Sequence, residues 1–298
     1  MTDLATVPGQ SLADRVIHEA FWRDNFQGLT IGGAVPAPGS NGPAPEALDL
    51  AHRRMVQEGY FQETHPLLGE LAPRLAQAVV RLVELDLPTP FLFMFDEAWN
   101  AFRALGPMVA HHLGEDYMML PDFWVWHVDP KAGQAGWTPH RDKGAMSLAP
   151  DGSPLSLTIW VPLTAATPQN GCMYIVPADK DRLYGTPNMG QIGCDPAAIR
   201  ALPVVPGEYL CWNQAVMHWG GQTSPFAPHP RISMAFEFQR GGMRPFNEPQ
   251  MKSDVDLSFE QRLRLIAKQI LQYQHMYPLR ADVREAAETI LQRVPAPV

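Results

Sequence analysis

Between residues 118 and 240 the chain breaks into short apolar runs: "DFWVWHV" (122–128), "LSLTIWVPL" (155–163), "CMYIVPA" (172–178), "GEYLCWN" (207–213) and "RISMAFEFQR" (231–240). Each is rich in β-branched and aromatic residues and is bounded by Pro, Gly, Asn or Asp. Short strands punctuated by turns predict a β-sandwich or barrel. On either side the pattern is helical. Before it stand "LADRVIHEAFWRDNF" (12–26), "PEALDLAHRRMVQEGYF" (45–61), "LGELAPRLAQAVVRLVELDLP" (68–88) and "DEAWNAFRALGPMVAHHLG" (96–114), read as one helix each. Pro45 suits a helix start, Gly59 a stop and Asp96 a cap. After it come "SFEQRLRLIAKQILQYQHM", with Ser258 and Gln261 at capping-box spacing, and "ADVREAAETILQRV". "PAPGSNGPAP" (36–45) reads as a loop. The expectation is one domain over 1–298: a mainly helical part (1–117), a β-core (118–240), then a loop and C-terminal helices (241–298).

The formal net charge of −8, with no block of Lys or Arg to offset it, argues against a nucleic-acid partner. Three cysteines without C-x-x-C spacing read as free thiols in a reducing cytoplasm. The start of the chain lacks the basic and apolar regions of a secretory signal. No run of about 18 apolar residues exists, so no membrane partner is expected.

Two H-x-D pairs stand out, His127–Asp129 and His140–Asp142 in "GWTPHRD". On a strand, residues i and i+2 share a face about 6.6 Å apart, so either pair can converge on one ion. Two histidines and one carboxylate leave coordination positions open for substrate and oxygen, the arrangement suited to non-haem iron(II). His218 in "VMHWGGQTS" is the best third ligand. Thirteen residues on, Arg231 and Ser233 again share a face. A guanidinium pairs bidentately with a carboxylate and the hydroxyl adds a donor. A metal ligand followed by a carboxylate anchor is what 2-oxoglutarate requires. His111–His112 fall within a helix and read as solvated or capping residues, and His229 as a loop residue. The strand tryptophans read mostly as core, with Trp160 or Trp212 facing a pocket.

The run "GWTPHRD … LSLTIWVPLTAATPQNGCMYIVPADKD … VMHWGGQTS … RISMAFEF" resembles the phytanoyl-CoA dioxygenase-type (PhyH-like) family of Fe(II)/2-oxoglutarate-dependent oxygenases. The likeness covers roughly residues 120–240 and departs from the family at "VPADKD", where "VPGSH" is usual. It implies a double-stranded β-helix (a cupin-like jelly roll) flanked by helices. It selects His140 and Asp142 over His127 and Asp129, because the former pair precedes the "LTIWVPL" strand. It also implies His218 as distal ligand and Arg231 with Ser233 as co-substrate anchor, with His127 and Thr158 at positions that contact the co-substrate.

The activity so implied is a dioxygenase that consumes O2 and 2-oxoglutarate, releases succinate and CO2, and oxidises an unactivated C–H. A carboxylate at Asp142, where related halogenases leave room for halide, favours hydroxylation, desaturation or ring closure over chlorination. Two other readings stay open: a cupin-type isomerase or dioxygenase that ignores 2-oxoglutarate, and a non-catalytic jelly-roll binding protein. Arg231 with Ser233 speaks against the first, and the complete ligand set against the second. The segments 181–200 and 241–256 have the Gly/Pro-rich profile of pocket-covering loops. Arg141, Lys143 and Arg244 are scattered candidates for a substrate anion. They form no cluster that would demand a CoA phosphate, so a small natural-product or amino-acid-like substrate is preferred.

Overall fold

The computed structural model describes residues 11–33, 43–275 and 279–294. The helices are α1 (Leu12–Val16), α2 (Glu19–Asn25), α3 (Pro45–Glu58), α4 (Pro66–Glu84), α5 (Asp96–Arg103), α6 (Gly106–Leu113), α7 (Phe259–Gln272) and α8 (Ala281–Arg293). The strands are β1 (Tyr60–Thr64), β2 (Met118–Val128), β3 (Ser156–Pro162), β4 (Met173–Ile175), β5 (Arg200–Leu202), β6 (Glu208–Asn213), β7 (His218–Gly220) and β8 (Arg231–Gln239). Most of the loop expected at 36–45 lies outside the described residues.

The chain divides into two compact units: Met1–Pro36 with Gln77–Asn100 and Asp254–Val298, and Ala37–Ala76 with Ala101–Ser253. In the first, helices gather around Trp22, whose indole N–H donates to the Val16 carbonyl and whose ring packs on Phe26 and Phe91. A buried ion pair joins Arg262 on α7 to Asp96 at 2.6 Å, and the same carboxylate accepts the Gly32 and Gly33 N–H groups. The capping box expected of Ser258 and Gln261 opens α7.

The second unit is a two-sheet β-core. Five antiparallel strands run in the order β1-β6-β3-β8-β2, and three in the order β5-β4-β7. Strand parity sorts the side chains. On β8 the residues Arg231, Ser233, Ala235 and Glu237 share one face. Ala235 joins Trp160, Leu210 and Trp212 there, in a cluster completed by Met173, Ile175 and Leu202 from the smaller sheet. That face is the interior of the jelly roll. The opposite face of β8 carries Phe236 and Phe238, which meet Phe102.

Several elements differ from the sequence expectation. The helix expected at 96–114 is two, α5 and α6, separated just before Gly106–Pro107, where proline lacks the N–H needed to continue the first. The first helix also divides, at an extended His18. Gly59 ends α3 in the left-handed conformation at φ 81°, as its position suggested. The residues that follow then form β1, an unforeseen edge strand paired with β6. The three-residue strands β5 and β7 carry too few residues for alternation to show.

Candidate metal centre

His140 and His218 are brought together by their own backbones. His140 N–H donates to the His218 carbonyl at 3.1 Å and His218 N–H returns the bond at 3.0 Å. Directly opposed residues of an antiparallel pair project to the same side, so the rings lie 4.4 Å apart between centroids. Two glycines permit the approach: a Cβ on Gly136 would lie 2.3 Å from the Gly220 Cα. Asp142, two residues after His140, comes to the same side because the Gln214 carbonyl accepts the N–H groups of both Lys143 and Gly144.

The result is a convergent donor set. Asp142 Oδ1 lies 3.4 Å from His140 Nε2 and 3.4 Å from His218 Nε2. Donors about 2.1 Å from a common ion stand roughly 3.0–3.4 Å apart, so the spacing fits a first-row metal. Both histidines hydrogen-bond a carbonyl through Nδ1, His140 to Thr138 at 2.7 Å and His218 to Val216 at 3.1 Å. That contact puts the proton on Nδ1 and leaves Nε2 as the free donor. Burial pushes His218 down to about 4, which keeps it neutral. At His140 burial acts in the same direction but Asp142 outweighs it, and the net shift is upward. For Asp142, burial opposes ionisation. The facing imidazoles and the Thr158 hydroxyl prevail and hold the carboxyl far below the ordinary range. His140 retains 30% side-chain exposure while His218 is enclosed, so the centre opens on the His140 side.

The second carboxylate oxygen is taken up by the protein. Asp142 Oδ2 accepts from Thr158 Oγ1 at 2.7 Å and from the Trp212 indole N–H at 3.0 Å. Trp212 also packs its ring on His218. Thr158 and Trp212 therefore support the carboxylate.

Arg231 and Ser233 lie on the interior face of β8, with Arg231 Nη1 donating to Ser233 Oγ at 2.7 Å. The Arg231 guanidinium sits over the Trp160 ring, 5.7 Å from its centroid. The residue is 2% exposed, its Nε has no acceptor, and among the described residues no carboxylate pairs with it. Burial accordingly depresses its pKa to about 10.

Two expected contacts are not made. His127 pairs across the sheet with Ile232, whereas Ser233 pairs with Trp126. Parity therefore puts His127 on the face opposite Arg231 and Ser233, which corrects the expectation that it touches the co-substrate. Arg141 points away from His140 and Asp142 into a wholly buried ion pair with Asp181 at 2.7 Å. It also donates to the carbonyls of Asn188 and Ala215, so it is no anchor for a substrate anion. Through these bonds, and through Arg141 N–H to the Met189 carbonyl, the segment 181–200 is fastened to the metal loop. The segment 241–256 is fastened to β2, through Asn247 to Asp122 and by the pairing of Met251 with Met119. Lys143, a sequence candidate for a substrate anion, is instead paired with Glu237, 3.1 Å from its Nζ, a charged group on the same interior surface that the sequence reading missed. Its one signal was parity, since Glu237 stands at i+4 from Ser233. His140, Asp142 and His218 form the one three-residue metal-binding group among the described residues.

A double-stranded β-helix with a 2-His-1-carboxylate centre and a buried arginine on its last strand defines the non-haem iron, 2-oxoglutarate-dependent class of oxygenases. The phytanoyl-CoA dioxygenase (PhyH) family model matches residues 49–229, and the chain belongs to that family. Solved structures agree on the fold. The epimerase SnoN, in complex with Fe3+, alpha ketoglutarate and nogalamycin RO, is 21% identical over 68% of this chain and 88% of its own, with a TM-score of 0.53. The non-heme monooxygenase ThoJ is 17% identical over 81% of this chain and 100% of its own, with a TM-score of 0.56. No curated protein matches the sequence.

Proposed function

We propose that the chain hydroxylates an unactivated C–H of a small natural-product or amino-acid-like substrate, using iron(II), 2-oxoglutarate and O2. The observation that carries this reading is the interior guanidinium of Arg231. A buried cation without a counter-ion is costly unless a ligand completes it, and a dicarboxylate that also reaches the metal is the co-substrate of this enzyme class. His140, Asp142 and His218 would hold iron(II), and the bound metal would let O2 oxidise both the keto acid and the C–H, one oxygen atom going to succinate as CO2 leaves and the other to the hydroxylated product.

The protein's own contribution is placement. His218 presents a neutral Nε2 donor, and His140, with Nδ1 held on the Thr138 carbonyl, turns its Nε2 to the same point. Asp142 offers one oxygen and leaves the remaining positions of the ion open. Arg231 and Ser233 orient the far carboxylate, and Trp160 covers the guanidinium so that water does not compete. The SnoN structure, which holds Fe3+, alpha ketoglutarate and nogalamycin RO in a related fold, supports a small natural product as substrate. The three free thiols are compatible with the cytoplasm, and among the described residues no helix is long and apolar enough to cross a membrane.

The test is anaerobic addition of iron(II) and 2-oxoglutarate. A weak visible charge-transfer band is expected, followed on admission of O2 by succinate release. Asp142→Gly should lose both. Metal binding without the band would favour a cupin-type enzyme that does not use the keto acid, and full turnover by Asp142→Gly would refute the ligand set.

A further inference from the structure

Behind Asp142 runs a chain of buried hydrogen bonds: Ser156 Oγ to Gln214 Oε1 at 2.5 Å, Gln214 Nε2 to Thr158 Oγ1 at 3.0 Å, and Thr158 Oγ1 to Asp142 Oδ2 at 2.7 Å. Ser156, Thr158 and Gln214 are all buried. The direction of the chain is dictated from its metal end. An ionised carboxylate only accepts, so the single Thr158 proton must go to Asp142. Thr158 must then accept from Gln214, which obliges the amide to turn its NH2 toward Thr158 and its oxygen toward Ser156. The Ser156 hydroxyl in turn has one role left, that of donor. Reversing any one link would leave two acceptors facing each other inside the protein, at a cost of about 1–3 kcal/mol.

We infer that Gln214, with Ser156 behind it, is a positioning residue for the metal centre: it commits the Thr158 hydroxyl to Asp142 Oδ2, so that Asp142 faces the ion through Oδ1 alone. This rests on the metal assignment made above. Position 214 also sets the backbone that carries Asp142, because its main-chain carbonyl accepts the N–H groups of Lys143 and Gly144 at 3.0 Å each. The Trp212 indole completes the saturation of Oδ2. A carboxylate held to one oxygen occupies one coordination position instead of two. Three protein donors would then leave room at a bound ion for the co-substrate. Outer-sphere partners of metal ligands typically account for 10–100-fold in metal affinity.

The experiment is cobalt(II) titration of the metal-free protein without 2-oxoglutarate, read by visible absorption and calorimetry. Wild type should bind one ion. Thr158→Val should weaken binding about tenfold, Thr158→Ser should restore most of that loss, and Gln214→Met should weaken it by a similar factor. In the Thr158→Val background Gln214→Met should add nothing, because its effect is transmitted through the hydroxyl. Unchanged affinity in Gln214→Met, or equal weakening in both backgrounds, overturns the inference while leaving the metal assignment intact. A wild-type protein that binds no cobalt overturns both. Should a variant fail to fold, a crystal structure of the wild-type cobalt complex decides. Asp142 bound through one oxygen with Thr158 still on the other supports the inference, and both oxygens on the metal with Thr158 turned away refutes it.

Discussion

Replacing Arg231 with methionine separates a ligand-seeking cation from a structural one. The guanidinium is 2% exposed, and burial lowers its pKa well below the ordinary arginine value, to about 10. At about 1.4 kcal/mol per pKa unit, keeping it charged costs the fold about 3 kcal/mol. Against this stand the bond to Ser233, worth about 1 kcal/mol, and the contact with Trp160, worth about 1 kcal/mol. Methionine fills much of the stem's volume without a charge. Metal-free, ligand-free Arg231→Met should therefore be about 1 kcal/mol more stable than wild type, since about 3 kcal/mol of charge burial and about 2 kcal/mol of contacts are removed together. Truncating a buried charge that has its partner typically costs about 3–5 kcal/mol instead. The assay is thermal melting with and without manganese(II) and 2-oxoglutarate. Manganese alone should stabilise both proteins. The keto acid, at about 100 times its Kd, should add about 2.7 kcal/mol to wild type, and nothing to Arg231→Met. A ligand-free variant destabilised by about 3 kcal/mol or more would mean that Arg231 is already satisfied within the protein, and the case for a dicarboxylate would fall.

Other outcomes are equally specific. Burial holds His112 down to about 4, so the unfolded chain binds one more proton between pH 6.5 and 4. The fold should lose up to about 3 kcal/mol as pH falls through that window, and His112→Phe, stacked on Phe61, should flatten the acid limb of a urea-midpoint profile; an unaltered slope would show that His112 is not the group responsible. In Gly136→Ala the new methyl meets the Gly220 backbone at 2.3 Å. Stability should drop by about 1–3 kcal/mol, with manganese affinity falling alongside because the same pairing presents both histidines, and a variant that melts and binds like wild type would contradict this. We further propose that the chain behaves as one domain in unfolding. Its two compact units are assembled from three and two separate segments, so no contiguous stretch contains either, and calorimetry should record a single transition rather than two.

The metal ligands were legible in the sequence through local spacing together with the family resemblance, which chose His140 and Asp142 over the equally spaced His127 and Asp129. His140 and Asp142 are two residues apart, the separation that strand geometry turns into a shared side, and Arg231 and Ser233 repeat it. The long strands were legible by alternation and the long helices by period and caps, down to the box at Ser258. Of the short elements, β4 was legible and β1, β5 and β7 were not. β5 and β7 are three residues each, and β1 hides behind the glycine that ends α3. Trp160, Trp212 and Arg141 were recognised as large or charged residues near the site, yet their partners could not be read from their neighbours in sequence.

Residue types and their local periodicity thus determined a helix-flanked β-core, two H-x-D pairs able to hold a metal and an arginine suited to a carboxylate, and the family resemblance chose between the pairs. Tertiary structure decided what each polar group is for. Thr158 and Trp212 reach Asp142 from 16 and 70 residues away, Asp181 claims Arg141, and cross-strand register turns His127 to the far face. The division has a simple cause. Periodicity acts over two to four residues and needs no partner, whereas a hydrogen bond or ion pair exists only within about 3 Å, a distance that folding alone sets between residues far apart in the chain.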